Sequence, residues 1–185
     1  MDGQFSSHTD EALVKLAQNG NRAAFETLCD RYLPSIYSRL CALLPFEAAE
    51  DVTQEVFIAA RRGLQRFKGR SLFRTWLASI TRHKVADYYR KQGRSPSTVP
   101  LEDAAADLAS SDAWEERVLV RAALRRLPVQ YQEVLLLRFA EGLPFKEIAH
   151  ILNISLEASK SRYRRAIAAV AREMETHPAD QKPDH

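Results

Sequence analysis

The chain has 185 residues, 45% of them hydrophobic, with 27 Lys and Arg against 24 Asp and Glu. That suits one ordinary core or two small ones. No apolar run approaches the length that spans a bilayer, which excludes direct membrane insertion, and MDGQFSSHTDE lacks a signal peptide's basic start and apolar body, so a cytoplasmic chain is expected.

The formal charge of +3 hides a pattern. Residues 1–60 hold 4 Lys/Arg and 9 Asp/Glu, a balance of −5, and residues 61–94 hold 11 against 1, or +10. Residues 95–116 hold none against 6, or −6, and residues 157–172 hold 5 against 1, or +4. Blocks of one sign are partner-facing or disordered, so two basic blocks separated by an acidic one predict two polyanion-facing surfaces and a tether.

In chain order, apolar residues recur at helical spacing and no useful length alternates like a strand, which predicts an all-α fold. Thr9 caps a first helix whose opening turn holds Asp10 and Glu11. Gly20 stops it. Asn21 caps a longer helix carrying Phe25, Leu28, Cys29, Tyr32, Leu33, Ile36, Tyr37 and Leu40 on one side, with a kink expected at Pro34. Cys29 and Cys41 would lie about 18 Å apart on one straight helix, beyond disulfide reach, and read as small core residues rather than a redox pair. The five histidines have no metal-ligand spacing, so no metal or cofactor is expected.

A third helix runs from after Pro45 to about Phe67. Val52, Val56, Phe57, Ala60 and Leu64 form its core face. Asp51, Gln54, Glu55, Ile58 and Arg62 form the other, and an isoleucine among carboxylates hints at a protein-docking patch. A fourth helix runs from Ser71 to about Lys91, with Phe73, Trp76, Leu77, Ile80 and Tyr88 as its core stripe. Arg74, Arg82, His83, Lys84, Asp87, Arg90 and Lys91 lie between these positions, and Tyr89 is turned away from the stripe. Cations that follow a phosphate backbone, beside rings that stack on unpaired bases, describe a single-strand binding surface.

GRSPSTVPLEDAAADLASSD, with two prolines and only acidic charge, reads as a flexible linker. Helical units resume at Glu116–Leu127, Val129–Ala140, Pro144–Leu152 and Ser155–Glu175, and the tail THPADQKPDH reads as disordered. The expected organisation is a module at 9–93, an acidic linker at 94–113, a second module at 114–176 and a tail at 177–185. In the second module Pro144 suits a first helical position, Asn153 tolerates a left-handed turn, and Ser155 caps a basic amphipathic helix. This is a helix-turn-helix arrangement. The N-terminal half of its second helix carries Lys160, Ser161, Arg162, Arg164 and Arg165, types that reach guanine acceptors or phosphates in a major groove.

Three segments resemble the extracytoplasmic-function sigma factors, minimal members of the bacterial sigma-70 family. AAEDVTQEVFIAARRGLQRF is similar to the segment that docks on the clamp helices of the β′ subunit of core RNA polymerase. FRTWLASITRHKVADYYRK resembles the −10 recognition and melting segment, and LRRLPVQYQEVLLLRFAEGLPFKEIAHILNISLEASKSRYRRA resembles the −35-binding domain. Their order and coverage, about residues 9–176, make the likeness specific. It implies two helical domains, sigma regions 2 and 4, that bind core polymerase and direct promoter-specific initiation.

By that likeness, Asp51, Gln54, Glu55, Ile58 and Arg62 would dock polymerase. Arg74, Arg82, His83, Lys84, Tyr88, Arg90 and Lys91 would lie by the melted −10 strand, and Ser155, Lys160, Ser161, Arg162, Arg164 and Arg165 by the −35 duplex. The tether would run through the polymerase's RNA path. Family habit adds an anti-sigma factor as partner, although no residue identifies one. His83 departs from a frequent Asn, and Ala158 and Ser159 from the usual Thr-Val pair. The tether's 20 or so residues span at most about 65–70 Å, the rise of about 20 base pairs, so the modules could reach separate promoter elements. A free-standing helix-turn-helix regulator would leave the docking stripe and tether unexplained. An enzyme is not expected, since no Gly-rich phosphate loop, paired acidic metal site or nucleophile-base motif is present, and neither is a small-molecule substrate.

Overall fold

A computed structural model describes residues 5, 7–93 and 123–176, all helix, turn or loop. The acidic linker, the tail and most of the helix expected at 116–127 lie outside the described residues. Helix α1 spans Asp10–Gln18, and the Thr9 hydroxyl accepts from the Ala12 amide as its cap. Helix α2, Arg22–Leu43, is capped by the Asn21 side chain at 3.0 Å from the Ala24 amide and runs on through Pro34. Helices α3, Phe46–Leu64, and α4, Phe73–Lys91, follow. In turn α1 packs on α2, α2 on α3 and α3 on α4, while α4 returns to α2. The expected all-α, two-module layout is the one observed.

The first core gathers Leu13, Leu28, Leu40, Leu43, Val56 and Leu77, each fully buried. An aromatic cluster closes one end of it: Phe67 lies 4.8 Å from Trp76 and Phe73 5.6 Å, centroid to centroid. Trp76 is a packing residue, as the stripe predicts. Gly63 makes room for it, because a Cβ at that position would sit 3.0 Å from the Trp76 ring. Both cysteines are free, and burial pushes the Cys29 thiol up to about 11, away from the reactive thiolate.

One core assignment on α4 changes. Tyr89, not Tyr88, belongs to the interior: it is 3% exposed, whereas Tyr88 is half-buried at the margin. The stripe that packs is Phe73, Leu77, Thr81, Val85 and Tyr89, a run of i+4 steps. Thr81 fits inside because its hydroxyl donates to the Leu77 carbonyl at 2.9 Å.

The second core joins Leu127, Val134, Leu137, Leu143, Ile148, Leu152 and Ala166. It is built from a helical stretch at 123–126, α5 (Val129–Leu135), α6 (Phe145–Leu152) and α7 (Leu156–Thr176). The expected helix to Ala140 does not stay α throughout. Its last turn, Leu136–Ala140, widens to a π-helical turn in which the Glu141 amide donates to the Leu136 carbonyl at 3.2 Å.

Candidate nucleic-acid interface

The helix-turn-helix is set by local chemistry. Asn153 ends α6 in the left-handed conformation, at φ 51°, and the Ser155 hydroxyl accepts from the Ala158 amide at 3.1 Å, fixing the start of α7. Ser159 lies fully buried where α7 crosses α6, and its hydroxyl donates to the Phe145 carbonyl at 3.5 Å. A buried hydroxyl is therefore accommodated where the family likeness leads one to expect an aliphatic side chain.

Along the first turns of α7, Arg164 and Arg165 are exposed, and Lys160 pairs with Glu157 at 2.9 Å, which holds that carboxyl below its usual range. Ser161 is half-buried beside them. Arg162 is half-buried. Burial draws its pKa down, and Glu133 of α5 counteracts that shift.

On α4, His83, Arg90 and Lys91 are exposed and Tyr88 is half-buried. Arg90 is steadied by Asp87 at 2.8 Å. Lys84 spans to Glu55 of α3 at 2.8 Å, so a cation assigned to DNA is tied to a carboxylate assigned to polymerase docking, and the bond holds Glu55 below its usual range. Asp51, Gln54 and Arg62 stand exposed on α3 around Ile58, which is 49% exposed. Arg74 reaches toward the second module instead, and Arg82 is half-buried. Arg74 approaches Glu147 of α6 at 3.4 Å, and Arg82 contributes to the field at the buried Glu133.

Further basic side chains go beyond the expected set. The loop between α3 and α4 exposes Arg66, Lys68 and Arg70, and Gln18 holds its start by donating to the carbonyls of Leu64 and Phe67, both at 2.8 Å. It lines a cleft of about 1140 Å³ together with Lys15, Lys146 and His150. The dense charge of residues 61–94 was the available signal for that loop.

Comparison with known proteins gives this geometry its context. Family models for Sigma-70 region 2 and Sigma-70 region 4 match residues 28–95 and 117–170. An ECF RNA polymerase sigma-E factor of Escherichia coli is 32% identical over 176 residues, covering 88% of this chain and 92% of that protein. That of Haemophilus influenzae is 33% identical over 175 residues, with coverage of 85% and 91%. The solved structure of CnrH in complex with the cytosolic domain of CnrY superposes with a TM-score of 0.71 at 27% identity, covering 90% of this chain and 97% of that one. The fold also matches the sigma factor RpoE of Bartonella quintana, solved with the anti-sigma factor NepR, with a TM-score of 0.68 at 24% identity and coverage of 85% and 98%. With two helical modules in the region 2 and region 4 order and a basic face on each, the chain belongs to the extracytoplasmic-function sigma factors of the sigma-70 family, proteins of promoter-specific transcription initiation.

Proposed function

We propose that the chain works as two jointed readers carried by core RNA polymerase, one module at about residues 9–93 and the other at about 114–176. The exposed α3 face around Ile58, with Asp51, Gln54, Glu55 and Arg62, docks on the polymerase. His83, Lys84, Tyr88, Arg90 and Lys91 receive the melted −10 strand, joined by Arg74 and Arg82. Ser155, Lys160, Ser161, Arg164 and Arg165 approach the −35 duplex, with Arg162 behind them. Opening duplex DNA costs a few kcal/mol per extruded base, and capture on a cationic surface with a stacking ring offsets that cost without nucleotide hydrolysis by this chain. The chain is then a cytoplasmic specificity subunit with no chemistry of its own.

The observation that carries this reading is the α6–α7 turn. Asn153, the Ser155 cap and the buried Ser159 aim the exposed Arg164 and Arg165 outward from a fixed helix start. CnrH is solved with a second protein, the cytosolic domain of CnrY, and that supports an anti-sigma factor as a further partner here. The test is run-off transcription with purified core polymerase over a promoter library. Initiation confined to templates sharing spaced −35 and −10 sequences is expected. No initiation, with core binding shown to be absent, would overturn the reading.

A further inference from the structure

Gln18 ends α1, and its amide is committed to a neighbouring turn. Nε2 donates to the carbonyls of Leu64, the last residue of α3, and of Phe67, both at 2.8 Å. Those bonds use both N–H groups of a primary amide. Gln65 returns the contact, donating through its own Nε2 to the Gln18 carbonyl at 2.9 Å. Three bonds therefore join the end of α1 to the turn after α3, across 46 to 49 residues of chain.

Both sides of this join are firm. Leu13, Val14 and Ala17 bury one side of α1, and Asp10 accepts from Arg31 and Tyr32 of α2. On the turn, the Phe67 ring packs against Trp76 and Phe73. Past Phe67 the chain swings outward through Gly69, at φ 66°, with open space around it.

What the join supports is charge. Arg66, Lys68 and Arg70 alternate along the turn and are all exposed. None of the three is ion-paired among the described residues, and no acid lies between Arg61 and Arg70. Like charges this close repel, so a loose turn would splay and would have to be ordered by the anion it meets. Ordering one long side chain on binding weakens affinity roughly two- to twelvefold. A turn fixed beforehand removes that penalty.

An amide suits this position for a reason of charge. An ionised glutamate only accepts, and would face two carbonyl oxygens. A lysine would add a fourth cation to the cluster. Glutamine donates twice and adds no charge.

We propose that Gln18 is a positioning residue for strand capture: through the Leu64 and Phe67 carbonyls it holds the α3–α4 turn so that Arg66, Lys68 and Arg70 stand ready for the phosphates of the melted strand. The proposal rests on the reading of the first module as the strand-receiving one.

The test places Gln18→Met, which keeps the bulk of the side chain and removes both donors, in two backgrounds. One is the native chain; the other carries Arg66→Ala, Lys68→Ala and Arg70→Ala. Fluorescence anisotropy reads the affinity of the full chain for a mixed-sequence single-stranded oligonucleotide, free at low salt and assembled on core polymerase. Far-UV circular dichroism verifies that the helices are retained. Removing the three cations should lower the slope of log affinity against log salt by about 2, at roughly 0.7 for each phosphate contacted on a single strand. Gln18→Met should weaken binding about fivefold in the native background and less than about twofold where the cations are gone. Gln18→Asn, whose amide falls one methylene short, repeats the comparison should the methionine variant lose its helices. Equal weakening in both backgrounds would show that Gln18 serves the fold alone, and an unchanged salt slope would take the turn off the path of the strand; either result overturns the proposal. If the sigma-factor reading failed instead, assembly on core polymerase and run-off transcription would be absent, while the free chain would still report the comparison between backgrounds.

Discussion

The Tyr89 hydroxyl donates a 2.6 Å hydrogen bond to the carbonyl of Leu43, joining the last turn of α4 to the end of α2. Both residues are buried, so the bond replaces water that cannot reach the carbonyl. Tyr89→Phe should therefore cost about 1–2 kcal/mol. For a module of this size that lowers the thermal midpoint by roughly 4–8 °C per kcal/mol, measurable by circular dichroism. Tyr88→Phe should leave the midpoint unchanged, since Tyr88 sits at the margin of the same core. Equal effects would contradict the assignment of Tyr89 as the structural ring.

Tyr88 and Arg90 remain as the ring and cation able to meet a strand. Tyr88→Ala together with Arg90→Ala should leave binding to core polymerase intact and impair open-complex formation. Base stacking contributes about 1–3 kcal/mol per base, so a drop of tenfold or more in open complex is expected. The check is permanganate footprinting; unchanged reactivity of the −10 thymines would contradict the role.

The exposed Ile58 separates docking from folding. Ile58→Glu lies outside the core and should change stability by no more than about 0.5 kcal/mol. Apolar anchors at interface centres are worth more than that, about 1–2 kcal/mol or above, so affinity for core polymerase should fall at least about tenfold. Titration of labelled chain with core enzyme measures it, and a native-like affinity would remove α3 from the docking surface.

Asn153 offers a test of the helix-turn-helix through backbone strain alone. Its positive φ costs a β-branched side chain about 1–2 kcal/mol and glycine nothing. Asn153→Val should destabilise the second module by that amount, while Asn153→Gly stays within about 0.5 kcal/mol of the native chain. Chemical denaturation followed by circular dichroism distinguishes the two, and a tolerated valine would mean that the turn can be made another way.

Those local features were legible in advance because each is decided within a few residues. Asn153, Ser155, Thr9 and Asn21 act on neighbours three or four positions away, and Pro144 stands at the N-cap of α6, one position before the first helical residue that it was expected to be. Tyr88 and Tyr89 were exchanged because the core stripe passes through Thr81 and Val85, a polar and a small β-branched residue, which a search for large apolar side chains skips. The pairing of Arg39 with Glu141 between the two modules was out of reach for a different reason. Arg39 lies among Ile36, Leu40 and Leu43, and Glu133 among Val129, Val134 and Leu137, as charges in apolar runs. That pattern marks a buried charge but not its partner, because the partner of Arg39 is 102 positions away and is delivered by a π-helical turn.

Glu133 makes the fold sensitive to pH, and the sign can be stated. Burial raises its carboxyl above the ordinary 4.5, and the nearby Arg39, Arg82 and Arg162 only partly counteract this. A carboxyl raised in the folded state binds its proton more tightly there than in the unfolded chain. Its favourable contribution is then fully present below pH 4.5 and is lost as pH rises through the folded value. Above the folded value the ionised Glu133 weighs against the folded state, because desolvation, the largest effect, exceeds the attraction of the three arginines. Glu133→Gln, which resembles the protonated side chain, should unfold at a higher temperature than the native chain at pH 7, and the gap should narrow as pH falls toward 4.5. Thermal unfolding of both chains across that range provides the check. A glutamine variant less stable than the native chain at pH 7 would show that attraction to Arg39, Arg82 and Arg162 prevails over burial.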